Sequence, residues 1–147
     1  ANASADGSVR VYSGLMDMMT DDELRFVLGH EIGHVALGHT LKAMRLAYTA
    51  AAARQAAGSL NSTANALSDS MLGDLMEEFL NAQFSQSQEL DADAYAMNFL
   101  KENNYNTAAA ASSLRKLESL GSSGGFLSSH PNSGKRAEKM EELAKQK

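Results

Sequence analysis

The fold is decided by residues 20–34, which read TDDELRFVLGHEIGH. Thr20, followed three positions later by Glu23, forms a capping box, in which each side chain accepts a hydrogen bond from the other residue's backbone N–H. Asp21 and Asp22 place negative charge in the first turn, where the helix dipole favours it. The stretch therefore predicts a helix that begins directly after Thr20.

One face of this predicted helix carries polar groups that a buried face rarely contains. At about 100° per residue, a carboxylate and an imidazole fall among the apolar positions of one stripe. The residues of that stripe are Leu24, Val27, Leu28, Glu31, His34 and Val35. A carboxylate and an imidazole in a face that should be buried need a chemical explanation.

That explanation is a metal site. His30, Glu31 and His34 form the pattern H-E-x-x-H, whose spacing of four residues puts both imidazoles on one helix side, where they can bind one zinc ion. Glu31 lies between them and can accept the proton of a zinc-activated water that attacks a carbonyl. The alternative is a pair of core or surface histidines beside an unrelated glutamate, and the helical context disfavours it.

Two histidines leave a catalytic zinc one protein ligand short. The extended metzincin pattern requires a glycine and a histidine at the positions that Leu37 and Thr40 occupy, so the chain is not a metzincin. His39 follows His30 by nine residues, which is about 180° round a continuous helix. It is therefore expected to point away from the metal, in a structural or surface position.

Glu89, on the next predicted helical stretch, is the candidate third ligand, because a separate helix can bring a carboxylate across to the histidine pair. Asp93 lies one turn later on the same face, where it can accept the other ring N–H of a ligand histidine and fix its tautomer. Asp91, between them, is expected on a solvated face. The sequence thus predicts one zinc ion per chain, bound by His30, His34 and Glu89.

Composition argues against several other functions. The 147 residues fit one domain, and 13 basic against 18 acidic side chains give a formal net charge of -5. Since no dense basic run is present, nucleic-acid binding is not expected. The absence of cysteine excludes a thiol nucleophile, disulfides and Cys-ligated metals. No stretch approaches the roughly 20 apolar residues of a membrane span. The start at Ala1, without a Met, suggests a fragment of a longer chain that could have carried an anchor.

The remaining signals predict a predominantly helical α+β domain over residues 1–147. Further helices are expected over residues 71–102 and 107–120 and from about residue 135. Residues 47–72 are expected to form a weakly specified helical insert or a mobile loop, and residues 121–129 a flexible loop.

A short β element is expected near the start of the chain. Residues 9–12 alternate apolar and other side chains directly after Asp6 and Gly7, which is a turn signal. If one edge of this strand is free, an extended polypeptide can pair with it by strand addition.

Four blocks of the sequence resemble the HtpX and CAAX prenyl protease type zinc metalloendopeptidases, which are metallopeptidase family forty-eight within the gluzincins. In chain order, the blocks are residues 2–5 with Gly7 and residues 9–15, residues 28–34, residues 85–93, and His130-Pro131 with Arg136. The resemblance is strongest to the periplasm-facing lipoprotein branch of that family.

The resemblance implies a zincin-like core and a role for each matched residue. His30, His34 and Glu89 would be the zinc ligands, Glu31 the general base and Asp93 the partner of His30. His130, by itself a lone histidine near a Gly/Ser-rich stretch, would donate a hydrogen bond to the tetrahedral oxyanion.

The expected function is therefore zinc-dependent endopeptidase activity on extended polypeptides, such as misfolded or envelope proteins. The expected location is the bacterial periplasm, with an anchor in the outer membrane on the full-length protein. One alternative is a module that keeps the zinc and holds clients without cutting them, and the intact Glu31 argues against it. A purely structural zinc is a second alternative, but such sites usually have four protein ligands.

Overall fold

The structure is a computed structural model that describes residues 1–4, 6–58, 84–120 and 129–146. These ranges are mainly helical and include a two-stranded antiparallel sheet, so the predicted α+β class is confirmed. The strands are β1 (Asn2–Ala3) and β2 (Val9–Arg10), and the helices are α1 (Ser13–Met18), α2 (Asp21–Ala36), α3 (His39–Gly58), α4 (Gln86–Glu102), α5 (Ala108–Ser119) and α6 (Ser133–Lys145).

The chain divides into two compact units. One comprises Ala1–Thr40 with Gln83–Lys147, and the other comprises Leu41–Ala82. All the candidate metal-site residues lie in the first unit, to which α1, α2, α4, α5 and α6 belong.

Helix α2 begins as the sequence predicts, with both halves of the capping box formed between Thr20 and Glu23. The Glu23 carboxylate is buried and also accepts hydrogen bonds from Ser112 Oγ at 2.7 Å and Lys116 Nζ at 2.6 Å. Burial raises the pKa of Glu23, but these donors outweigh burial and lower it to about 2. The first turn of α2 is therefore anchored to α5 by a charged side chain.

Two glycines let α2 and α4 approach each other closely. A Cβ added at Gly29 would lie 3.2 Å from Ala96 Cα, and one added at Gly33 would lie 3.3 Å from both Cα and the carbonyl oxygen of Ala92. Cβ contacts this short are unusually tight, so a side chain at either position would press against the α4 backbone. The helices are thus held in register, with the histidines of α2 beside the acidic first turns of α4.

The apolar core lies around Phe26 of α2. Its other buried members come from α4, α5 and α6: Ala96, Met97, Leu100, Ala110, Ala111, Leu114, Ala137 and Met140. The buried face of α2 is centred on Phe26, His30 and His34, whereas the predicted stripe omits Phe26 and His30 and includes Leu24, Leu28 and Val35, which are only half-buried. The site residues therefore project from the packed side of α2.

The N-terminal sheet is smaller than predicted and has a partner strand that the sequence did not reveal. β2 covers only the first two of residues 9–12, and it pairs with β1 in the register Asn2 to Arg10 and Ala3 to Val9. Gly7 permits the connecting turn because its φ is +86°. Asn and Ala are poor strand formers, so β1 carries no local signal.

Helix boundaries differ from expectation mainly around α2. Residue pattern alone did not predict α1, or the end of α2 at Ala36. Residues 47–58, expected as part of a weakly specified helical insert or a mobile loop, are helical and continue α3. The rest of the 47–72 segment, residues 71–83 of the predicted second helix and residues 121–128 lie outside the described residues. None of the helices in the described ranges has the length and apolarity that a membrane crossing demands.

Candidate metal centre

Four buried side chains from three parts of the chain converge on one point. His30 and His34 come from α2, Glu89 from the first turn of α4, and His130 from the segment before α6. One possible ligand atom from each lies within 4.8 Å of all the others. His30 Nε2 and His34 Nε2 are 3.0 Å apart, and Glu89 Oε1 is 3.2 Å from His34 Nε2. The structure thus brings together the three predicted ligands.

His130 belongs to the same cluster. Its Nδ1 lies 3.0 Å from Glu89 Oε1 and 3.2 Å from His30 Nε2. A hydrogen bond of 3.2 Å from Phe84 N–H to Ser129 O fastens the chain just before His130 to the segment that leads into α4. His130 therefore stands where a fourth protein ligand would be, which the sequence interpretation did not anticipate.

Asp93 lies one turn beyond Glu89 and faces His30. Its Oδ1 is 2.9 Å from His30 Nδ1, so the proton of this ring belongs on Nδ1 and the lone pair of Nε2 points into the cluster. Burial lowers the pKa of His30 to about 3, although Asp93 acts in the opposite direction. His30 is therefore neutral at pH 7, as a metal ligand must be.

His34 is held on two further sides. The Phe84 ring stacks on its face, with centroids 3.9 Å apart and an interplanar angle of 24°. Its Nδ1 lies 3.1 Å from Nδ1 of the buried His39. The expectation that His39 points away from the metal is wrong, because α2 ends at Ala36 and the chain turns before α3 begins.

Arg136 of α6 supports the acidic half of the site from behind. Its Nε and Nη2 donate to the two oxygens of Asp93, each at 2.7 Å, and its Nη1 forms an ion pair with Glu89 Oε2. Burial raises the pKa values of both carboxyl groups, but other contacts lower them by more, so both stay ionised: hydrogen bonds with His130 and His34 and the charge of Arg136 act on Glu89, and hydrogen bonds with Arg136 and His30 act on Asp93. Arg136 thereby leaves Glu89 Oε1 as the oxygen that faces the histidines.

Glu31 is buried beside the cluster but outside the ligand group. Its Oε1 has no hydrogen-bond partner and lies 3.6 Å from His130 Nε2. Burial raises the pKa of Glu31, and a hydrogen bond from the Ala3 backbone acts against that rise. A buried carboxylate with a raised pKa and one oxygen that accepts no hydrogen bond is suited to receive a proton. Asp91, by contrast, is exposed, as expected.

The donor set fits a divalent cation such as zinc. Neutral imidazoles and an ionised carboxylate are zinc ligands, and the chain offers no thiolate to compete. The buried charges of the site are three carboxylates, Glu31, Glu89 and Asp93, against one guanidinium, Arg136. Because uncompensated buried charge is costly, a bound dication would bring this interior close to neutrality.

The sequence indicates the candidate ligands and the supporting residue Asp93, but not the other supports. The roles of Arg136, Phe84 and His39 depend on contacts between different helices and loops, which no local pattern encodes. Gly38 is the one sequence signal for the position of His39, because a glycine commonly ends a helix. Its φ of +74° shows that it does so here.

A mainly helical fold whose H-E-x-x-H helix faces a glutamate helix defines the zincin class of metallopeptidases. The model of the family described as Peptidase family M48 matches residues 1–144, and the chain belongs to this family. This membership confirms the resemblance drawn from the sequence blocks.

The chain is also similar to proteins that are named as metalloproteases. The chain is 47% identical over 140 residues to Metalloprotease LoiP and 46% identical over 138 residues to Metalloprotease YcaL, both of Escherichia coli strain K12. These alignments cover 94% and 92% of this chain but only 56% and 54% of the two relatives. Mitochondrial metalloendopeptidase OMA1 of Arabidopsis thaliana is 28% identical over 138 residues, 89% of this chain and 26% of that protein. No solved structure matches the chain significantly.

Removal of the Arg136 charge should destabilise the metal-free protein severely. In Arg136→Met, Asp93 and Glu89 remain buried without their counter-charge, so the free energy of unfolding in urea should fall by about 3–5 kcal/mol. Arg115→Met is the matched control, because Arg115 pairs with Glu141 while both side chains are more than 40% exposed. That variant should lose little or no stability, because the exposed pair is screened by solvent. Equal losses in the two variants would contradict the role assigned to Arg136.

Proposed function

We propose that this chain is the catalytic domain of a zinc-dependent endopeptidase. The observation that carries the proposal is the convergence of His30, His34 and Glu89 beside Glu31, whose buried Oε1 accepts no hydrogen bond. Three protein ligands with a fourth position that can be vacated are typical of catalytic rather than structural zinc.

Each residue of the site has a distinct task in peptide hydrolysis. His30, His34 and Glu89 would hold the ion, which when bound acts as a Lewis acid on water and on the scissile carbonyl. Glu31 takes the proton of the attacking water and then delivers it to the leaving amine. Asp93 and Arg136 keep His30 and Glu89 in their binding orientations.

His130 has two tasks in this proposal, in two positions. As the fourth donor beside Glu89, it closes the site. Hydrolysis requires an open position, so His130 must withdraw before water and substrate can enter. A short withdrawal leaves its N–H close enough to donate to the developing oxyanion, which is the role that the sequence resemblance implies.

The substrate would bind as an extended chain along β1 rather than along β2. Ser4 N–H bonds to Ser8 O at 2.8 Å, so Asn2 and Ser4 direct their backbone groups towards β2, and Ala3 directs its groups to the opposite edge. What supports this edge is that the Ala3 backbone lies close enough to the Glu31 carboxylate to lower its pKa. Nearby, Asn2 Oδ1 is buried without a hydrogen-bond partner and can accept from a substrate amide.

The substrates we propose are misfolded or envelope proteins of the bacterial periplasm, and the full-length protein would be anchored to the outer membrane. Backbone pairing at a strand edge supports broad substrate choice, because it reads no side chains. The location follows from the resemblance to the lipoprotein branch, and fractionation of cells that express the full-length protein tests it. The competing function is a module that binds clients through the same site without cutting them.

The variant Glu31→Gln should separate the two functions. Glutamine is nearly isosteric but cannot take a proton, so cleavage of casein should fall by about 100- to 10,000-fold while zinc content and thermal unfolding stay unchanged. Asp91→Asn, which neutralises an exposed carboxylate two residues after Glu89, should cleave like the wild type. A wild type that binds unfolded casein without cleaving it, and a Glu31→Gln variant that behaves identically, would establish the client-binding alternative.

The variant Asn2→Ala should weaken substrate binding without affecting the metal. Loss of one hydrogen bond to the peptide should reduce kcat/KM for long peptides by about 2- to 10-fold, mainly through KM, at unchanged zinc affinity. Arg10→Ala is the control, because Arg10 lies directly opposite Asn2 in the sheet and its side chain is exposed. If Asn2→Ala retains the wild-type kcat/KM, the substrate does not use this edge.

A further inference from the structure

His39 occupies an unexpected place behind the metal centre. The helix α2 is closed by bonds from Leu37 N–H to Gly33 O and from Gly38 N–H to Val35 O. The positive φ of Gly38, +74°, then redirects the chain, so that α3 starts with the His39 ring against the ring of His34. The two Nδ1 atoms are 3.1 Å apart, and the ring planes are inclined at 65°.

We propose that His39 is the positioning residue of His34, accepting its Nδ1 proton and so presenting the Nε2 lone pair to the metal. The inference rests on the zinc site of the proposed function. It assigns to His39 the part that Asp93 has for His30, with an imidazole nitrogen in place of a carboxylate oxygen.

The Nδ1 atoms of His34 and His39 face each other, so the position of the proton between them decides the tautomer of His34. Two facing Nδ1 atoms at 3.1 Å can share only one hydrogen, which belongs to His34 or to His39. If His39 holds it, His34 carries its own proton on Nε2, which points at Glu89 Oε1 at 3.2 Å and cannot bind a metal. Metal binding therefore requires the other arrangement, in which His34 donates from Nδ1 and His39 accepts.

Packing alone does not select the tautomer of His34. Phe84 covers the face of the His34 ring, and His30 meets it edge-on with centroids 4.6 Å apart, so the ring is already confined. Neither contact distinguishes the two tautomers, because neither supplies an acceptor to Nδ1. Since His39 is buried, bulk water does not readily replace it as the acceptor.

Two substitutions at His39 distinguish its role as a hydrogen-bond acceptor from its contribution to packing. His39→Phe keeps an aromatic ring of similar shape but has no acceptor. His39→Asn packs less well but places Oδ1 close to the position of Nδ1, and Asn is well tolerated near a helix start. If His39 acts as the acceptor, the His39→Asn variant retains zinc affinity and the His39→Phe variant does not. If His39 acts through packing, the order is reversed.

The experiment measures zinc affinity of the whole chain by competition with a chelator, and records the visible spectrum of the Co²⁺-substituted protein. We expect His39→Phe to lose about 10- to 100-fold in zinc affinity with a changed Co²⁺ spectrum, and His39→Asn to stay within a few-fold of wild type with the spectrum retained. Thermal unfolding of the metal-free variants checks that both are folded.

Three results would overturn the inference. The first is wild-type zinc affinity in His39→Phe, and the second is an equal loss in both variants, since then the acceptor is not what matters. The third is a wild type that binds neither Zn²⁺ nor Co²⁺, which refutes the proposed function itself. The wild-type measurement thus distinguishes failure of the metal site from failure of the role given to His39.

Discussion

The close approach of α2 and α4 is the constraint on which the site depends. Gly29 and Gly33 stand four residues apart and meet the backbone of α4 at Ala96 and Ala92. Each precedes one histidine of the pair, so the same helical period that sets the contact also sets the spacing of the imidazoles. Only at this short distance does Glu89 Oε1 come within 3.2 Å of His34 Nε2.

The short distance between the helices buries ionisable groups, and the rest of the first unit compensates for them. Asp93 and Glu89 are fully buried, and α6 supplies Arg136 to both. Breaking such a network lowers the stability of the fold strongly, because removal of one member leaves its partners charged in a low-dielectric interior. The remaining excess of negative charge favours a cation, and His30, His34 and Glu89 are the residues that we propose would hold it. Electrostatics and ligand geometry therefore select the same position.

The local parts of this arrangement were predictable from the sequence, and the long-range parts were not. The capping box at Thr20 and the H-E-x-x-H spacing depend on residues within one or two helical turns, so they could be read directly. Glu89 and Asp93 were identified by residue type and spacing on the next helix. Arg136 could be matched to a family block, but its contact with Asp93 joins residues 43 positions apart.

His39 shows how one wrong boundary reverses an interpretation. On a continuous helix it lies opposite His30, whereas the turn at Gly38 places it behind His34. The glycine signal was present, but the helical pattern was extended through it. The strand β1 was not predicted, for a different reason. Asn2 and Ala3 have low strand propensity, and their pairing with Arg10 and Val9 orders them.

Location of the bound metal tests the central claim most directly. Crystals of the zinc-loaded chain, with diffraction recorded on both sides of the zinc absorption edge, give the position of the ion independently of any atomic coordinates. The account predicts one anomalous peak per chain, about 2.0–2.2 Å from His30 Nε2, His34 Nε2 and an oxygen of Glu89. A peak elsewhere, or zinc-loaded crystals without a peak between these three residues, would contradict it.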